Sequence, residues 1–209
     1  MKLSTAVIAL GALFLAGCVS TTEKGPRSSA GVAPEILSPE AATATVEARG
    51  HAFQRSPTNR NAALQYATAL RSLDRNEEAA AVLERAIMAN PEDGPLARAY
   101  GQALIGLGQT ERAIEVLGRA HSPDNLDWHV LSALGVASDK IGKHADARAY
   151  YVSALRIAPN NPQLLANMAL SWAMSGNNAE AKRAIADAEK AGPGDPSTAR
   201  VRSYLESSK

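Results

Sequence analysis

Residues 128–161 read WHVLSALGVASDKIGKHADARAYYVSALRIAPNN, and their skeleton of small and apolar residues returns 34 positions before and after. Ala147 belongs to a column with Ala79, Ala113 and Ala181, and Ala154 to one with Ala86, Ala120 and Ala188. Between these columns sit Leu83, Leu117, Tyr151 and Ile185; ahead of them run Ala67, Gly101, Gly135 and Ala169, then Leu70, Leu104, Ser138 and Trp172. A turn column follows with Asp74, Gly108, Gly142 and Gly176, and the units close on Pro91, Asn125, Pro159 and Pro193. A fixed period of about 34 residues marks a helix–turn–helix unit that stacks on copies of itself. Small residues at fixed places let two antiparallel helices approach, large apolar ones fill the gap at i, i+3, i+4 spacing, and glycine and proline close the helices.

The pattern resembles the tetratricopeptide repeat, W-x2-L-G-x2-Y, then A-x3-F-x2-A and a closing proline. Four units match without insertion, at 60–93, 94–127, 128–161 and 162–195. The tryptophan column holds Ala63, Ala97, Leu131 and Leu165, and Asn125 replaces one closing proline, with Pro123 two residues earlier. The expected fold is all-α, a right-handed tetratricopeptide-repeat solenoid of antiparallel helix pairs. Pro57 stands one period before Pro91, so residues 39–57 read as an N-terminal packing helix running from Pro39 to Arg55. Asp195-Pro196 is a cap followed by an N1 proline, as is Asn161-Pro162 in the fourth unit. Residues 196–209 then form a capping helix, with Val201, Tyr204 and Leu205 apolar and Arg200, Arg202 and Glu206 polar.

The amino terminus has a different logic. Lys2 precedes an uncharged run from Leu3 to Gly17, shorter than the roughly 20 residues a membrane-spanning helix needs and suited to a signal-peptide core. A transmembrane anchor and an ordinary secretory signal are the other readings of such a run. It ends in Leu15-Ala16-Gly17-Cys18, which resembles the bacterial lipobox and contains the single cysteine of the chain. That resemblance implies a lipoprotein signal peptide over 1–17, cleaved before a Cys18 that carries diacylglycerol and an acylated amine. Several acyl chains anchor stably where one does not. Val19 stands where an Asp favours inner-membrane retention in Gram-negative lipoproteins, which implies an outer-membrane, periplasm-facing location. Residues 18–38, rich in Ser, Thr, Gly and Pro, read as the lipidated cysteine and a flexible tether.

Composition narrows the function. The chain has 22 basic and 21 acidic residues, a balance that argues against electrostatic binding of nucleic acid. His51, His121, His129 and His144 fall at unrelated places in the repeat without an i, i+4 ligand partner. No HExxH, GxSxG or phosphate-cradling loop is present, and Gly106-Leu107-Gly108 lies in the turn column with no strand before it. The expectation is a non-enzyme with no catalytic residue, no metal and no cofactor beyond the covalent lipid on Cys18. Its partner would be a protein, not a nucleic acid or a small-molecule substrate.

In tetratricopeptide arrays the first helix of each unit lines a concave groove through positions not used for packing. Carried over by register, the resemblance assigns the groove to Asn61, Leu64, Gln65, Thr68, Arg98, Gln102, His129, Ser132, Asp139, Asn167 and Leu170. An ordinary solvated helix face is the alternative for any one of them, and the set lacks the Lys/Arg/Asn cluster of the carboxylate-clamp subclass. Trp128 reads either as a partner-facing anchor aromatic or as a plug between the second and third units. Trp172 falls in a core column; Tyr151 is core by register, leaving Tyr150 the freer of the two.

The segments 127–144 and 150–176, including Ala-Pro-Asn-Asn-Pro at 158–162 and Leu-Ser-Trp-Ala-Met-Ser-Gly at 170–176, resemble the TadD family of Flp (tight-adherence) pilus assembly lipoproteins. The resemblance implies a pilotin-like assembly factor, with an outer-membrane secretin or another pilus component as its partner. A general periplasmic scaffold lipoprotein that recruits cell-wall or outer-membrane assembly proteins shares the same anchor and groove, and remains the alternative.

Overall fold

A computed structural model describes residues 39–122 and 126–207. The expected signal peptide, Cys18 and the expected tether, as well as Pro123 and Asn125, lie outside the described residues. Among those described there are ten α-helices and no β-strand. They are α1 (Pro39–Arg55), α2 (Arg60–Arg71), α3 (Asn76–Ala89), α4 (Gly94–Gly106), α5 (Thr110–Ala120), α6 (Trp128–Lys140), α7 (His144–Ile157), α8 (Pro162–Met174), α9 (Asn178–Ala191) and α10 (Pro196–Ser207). Each helix packs on the next in the chain, and α2, α4, α6, α8 and α10 also pack side by side, so the array is an all-α solenoid of helix pairs.

The columns explain the packing. All eight column alanines are buried, as are Leu83, Leu117, Tyr151 and Ile185 between them. A large side chain on the second helix of a pair meets a small one on the first: a Cβ added at Gly101 would lie 3.0 Å from Leu117 Cγ. Burying each such leucine contributes about 1.5–3 kcal/mol, so stability is spread along the array rather than concentrated in one core.

Helix starts follow a column that sequence reading caught at only two places. Asn59, Asp93, Asp127, Asn161 and Asp195 stand one period apart. Each accepts a backbone hydrogen bond from the helix it precedes: from Ala62 N at 2.9 Å, Leu96 N at 2.8 Å, His129 N at 2.8 Å, Leu164 N at 3.1 Å and Ser197 N at 2.9 Å. Only the first helix of each pair is capped this way; α3, α5, α7 and α9 start without a side-chain cap bond. The turns between paired helices need a left-handed residue, at φ 74°, 77° and 81° for Gly108, Gly142 and Gly176. Asp74 takes the same conformation at φ 55°, which its short polar side chain tolerates at some cost.

Two aromatic residues are placed as their register suggests. Trp172 packs on the Ala169 and Ile185 cluster, half-buried, and holds the Arg148 guanidinium 3.9 Å from its ring centroid. Tyr150 is the freer member of its pair, although half-buried against both the Val130–Leu134 and the Tyr151–Leu164 clusters, while Tyr151 is almost wholly enclosed. Helix α7 is wedged between its neighbours, so two adjacent side chains both find apolar cover.

Candidate functional site

The first helices of successive pairs present a cleft of about 150 Å³ between α4, α6 and α8. Arg98, Gln102 and Ile105 of α4 form one side, Trp128, His129, Ser132, Ala133 and Val136 of α6 the floor, and Gln163 and Asn167 of α8 the other side. Trp128 is half-buried on the Leu131–Tyr151 cluster and stacks on His129, with ring centroids 3.6 Å apart and an interplanar angle of 24°. His129 Nδ1 lies 2.9 Å from Asp127 Oδ1, the carboxylate that also caps α6. Across the cleft Asn167 Nδ2 donates to Ser132 Oγ at 3.4 Å.

Several of the expected groove residues therefore converge on one place: Arg98, Gln102, His129, Ser132 and Asn167 line it together, with Trp128 beside them. Leu64, Gln65 and Thr68 instead border a separate depression between α1 and α2, beside Arg49. Asn61 is exposed and borders neither. Leu170 is half-buried against the Ala166–Val201 cluster, where α10 packs beside α8. Gln163 and Val136 were missed, although both follow from the same period: Gln163 stands one repeat after His129, and Val136 one repeat after Gln102.

Asp139 is the chief correction. It is 7% exposed and belongs to a buried polar cluster, not to the groove. Tyr151 donates its hydroxyl to Asp139 Oδ2 at 3.0 Å, and Ser171 donates to Oδ1 at 2.7 Å. His144 Nδ1 lies 2.8 Å from the same Oδ1. The carboxyl sits in the last turn of α6, where His144 and Tyr151 of α7 and Ser171 in the last turn of α8 close over it. Ser, His and Asp meeting in this way do not form a nucleophile. Activation needs the serine hydroxyl bonded to the imidazole, with the carboxylate behind it. Here the carboxyl is central, both groups turn toward it, and Ser171 has no solvent exposure. Among the described residues no group of three or more His, Cys, Asp or Glu side chains is placed to hold a metal ion.

Two buried phenols make the array sensitive to alkali. Tyr100 donates to Glu84 Oε1 at 3.0 Å; burial first, then Glu84, pushes its pKa up to about 12. Tyr151 is raised further, by burial and then by the charge of Asp139. Because both folded values lie above the unfolded one near 10, their stabilisation is complete below about pH 10 and lost as pH rises. Each contributes a slope of about −1.4 kcal/mol per pH unit above that point. Urea midpoints should hold steady up to about pH 9 and fall steeply between about 10 and 12. A midpoint constant through pH 11, or a Tyr100→Phe/Tyr151→Phe variant with the same fall, would contradict this.

Similarity to known proteins agrees with this geometry. Among curated proteins the sequence has no match. Solved structures resemble it in fold at low identity. TTC0263, a thermophilic TPR protein of Thermus thermophilus, is 18% identical with a TM-score of 0.69, covering 80% of this chain and 90% of its own. YrrB, described as a TPR protein with an unusual peptide-binding site, is 18% identical with a TM-score of 0.58 over 78% of this chain and 84% of its own. MamA is likewise 18% identical, at a TM-score of 0.60 over 73% and 89%. The tetratricopeptide repeat family model matches residues 70–134 and 142–203, more than half of the chain. With its helix pairs, its capped first helices and a cleft on the face they share, the chain belongs to the tetratricopeptide repeat family, a protein-interaction scaffold.

Proposed function

We propose that this protein is a lipid-anchored docking module of the outer membrane, facing the periplasm, and that it acts as a TadD-like, pilotin-like assembly factor for the Flp pilus. The observation that carries the reading is the order of the chain: Leu15-Ala16-Gly17-Cys18, then a Ser/Thr/Gly/Pro-rich stretch, then a repeat array with a cleft on its first-helix face. The lipid on Cys18 holds the array near the membrane, and the stretch to residue 38 lets it search for a partner. An outer-membrane secretin, or another component of the pilus machinery, presents an extended segment to the cleft. The array has no catalytic role, needs no cofactor besides the lipid, and takes neither nucleic acid nor a small-molecule substrate. Binding of a flexible segment loses ordering entropy, which suits moderate, reversible affinity.

The test is recovery of partners from solubilised membranes with the intact chain and with a Cys18→Ala variant. The expected result is lipid labelling of the intact chain alone, and a secretin recovered with it. Cell-wall synthases or hydrolases recovered instead would transfer the protein to the role of general periplasmic scaffold. A Cys18→Ala variant that sediments with membranes as the intact chain does, with no lipid label on the latter, would overturn the anchor.

A further inference from the structure

Among the described residues the cleft has one sign of charge: no Asp or Glu lines it, and Arg98 has its Nε buried with no hydrogen-bond acceptor. Behind it Arg71, in the last turn of α2, donates Nη1 to Gln102 Oε1 at 2.8 Å while its own Nε is also buried without an acceptor. Burial, and then the neighbouring charge of Arg98, hold the Arg71 guanidinium below its ordinary pKa. Arg60, Arg75, Arg112 and Arg202, by contrast, each reach a carboxylate. Asp127, the cap of α6, is engaged by the α6 backbone and by His129. Two like charges held together with unfilled donors raise the local positive potential and favour an incoming anion.

The size of the cleft limits what that anion is. About 150 Å³ is below the roughly 300–1,000 Å³ typical of small-molecule sites. It has room for a single side chain, with Ile105 and Val136 available to cover methylene groups. Resting on the reading of this face as a protein-docking surface, we propose that the cleft takes the side-chain carboxylate of a glutamate or aspartate within an extended segment of the protein partner. Arg98 is its direct counter-charge, and Arg71 strengthens the field from behind. Affinity on this basis falls with rising salt, since the cleft is open to solvent.

The probe is an array of random decapeptides, acetylated at the amino end and amidated at the carboxyl end, exposed to the full 209-residue chain. Bound peptides should share an acidic residue at one position, and its replacement by Gln or Asn should weaken binding roughly tenfold. Arg98→Gln should abolish the acidic preference, and Arg98→Lys should keep part of it. Equal urea midpoints for the wild-type and variant chains verify that folding is unaffected. Absence of acidic preference, survival of the preference in Arg98→Gln, or binding confined to a second, unamidated copy of the array with free carboxyl termini would each overturn the proposal. If no peptide binds, the acidic-side-chain proposal falls, while recovery of a partner from membranes still decides the docking reading separately.

Discussion

Asp139→Ala is expected to destabilise the array by about 2–4 kcal/mol, because it removes the shared acceptor of a buried cluster. Tyr151 is the costly loser. Its hydroxyl is almost wholly buried and donates to Asp139 Oδ2. Ser171 is better placed, since its hydroxyl also lies 3.3 Å from the His144 carbonyl oxygen and can turn to it. The loss should therefore be much smaller when Asp139→Ala is made in a Tyr151→Phe background, where no phenol is left unsatisfied. Urea midpoints of the two single variants and the double variant give the coupling directly. Additive effects would mean that the carboxyl does not hold the phenol in place. Asp139→Asn, which keeps an acceptor oxygen, should cost less than the alanine.

Gly135→Ala is expected to cost about 2–3 kcal/mol through overpacking. A Cβ at this position would lie 2.4 Å from Tyr151 Cε1 and 2.7 Å from Cζ, distances that real side chains do not adopt. The ring has no easy escape: it is 1% exposed, and turning away would break the bond to Asp139. The repeat itself supplies the rescue. In the first unit the same two columns hold Ala67 and Leu83, both fully or nearly fully buried. Gly135→Ala should thus be much milder in a Tyr151→Leu background than in the native one. An equal penalty in both backgrounds would show that the contact with Tyr151 is not what requires glycine.

These two cases mark how much of the molecule could be read from the chain. Residues that pack by size were legible: the alanine columns, Leu83, Leu117 and Tyr151 are buried where the register puts them. Arg98, Gln102, His129, Ser132 and Asn167 were placed on a common face, and that face contains the cleft. Asp139 was misplaced for a definite reason. Its register position, shared with Arg71 and Ile105, lies at the rim of the first-helix face. In the third unit His144 and Tyr151, joined by Ser171 of the fourth, converge there and draw the carboxyl inward. None of these partners repeats, so no period announces them.

The division has a physical cause. Hydrophobic packing of identical units depends on volume and spacing, and both recur every 34 residues, so composition columns suffice to specify helix pairs, turns and core. Polar pairing depends instead on where long side chains end, several ångströms from their own backbone and on helices distant in sequence. Only the assembled array brings Arg71 behind Arg98 and encloses Asp139 among three hydrogen-bonding side chains. The repeat pattern decided that this chain stacks into a solenoid. Tertiary packing decided which of its polar residues serve the core and which face a partner.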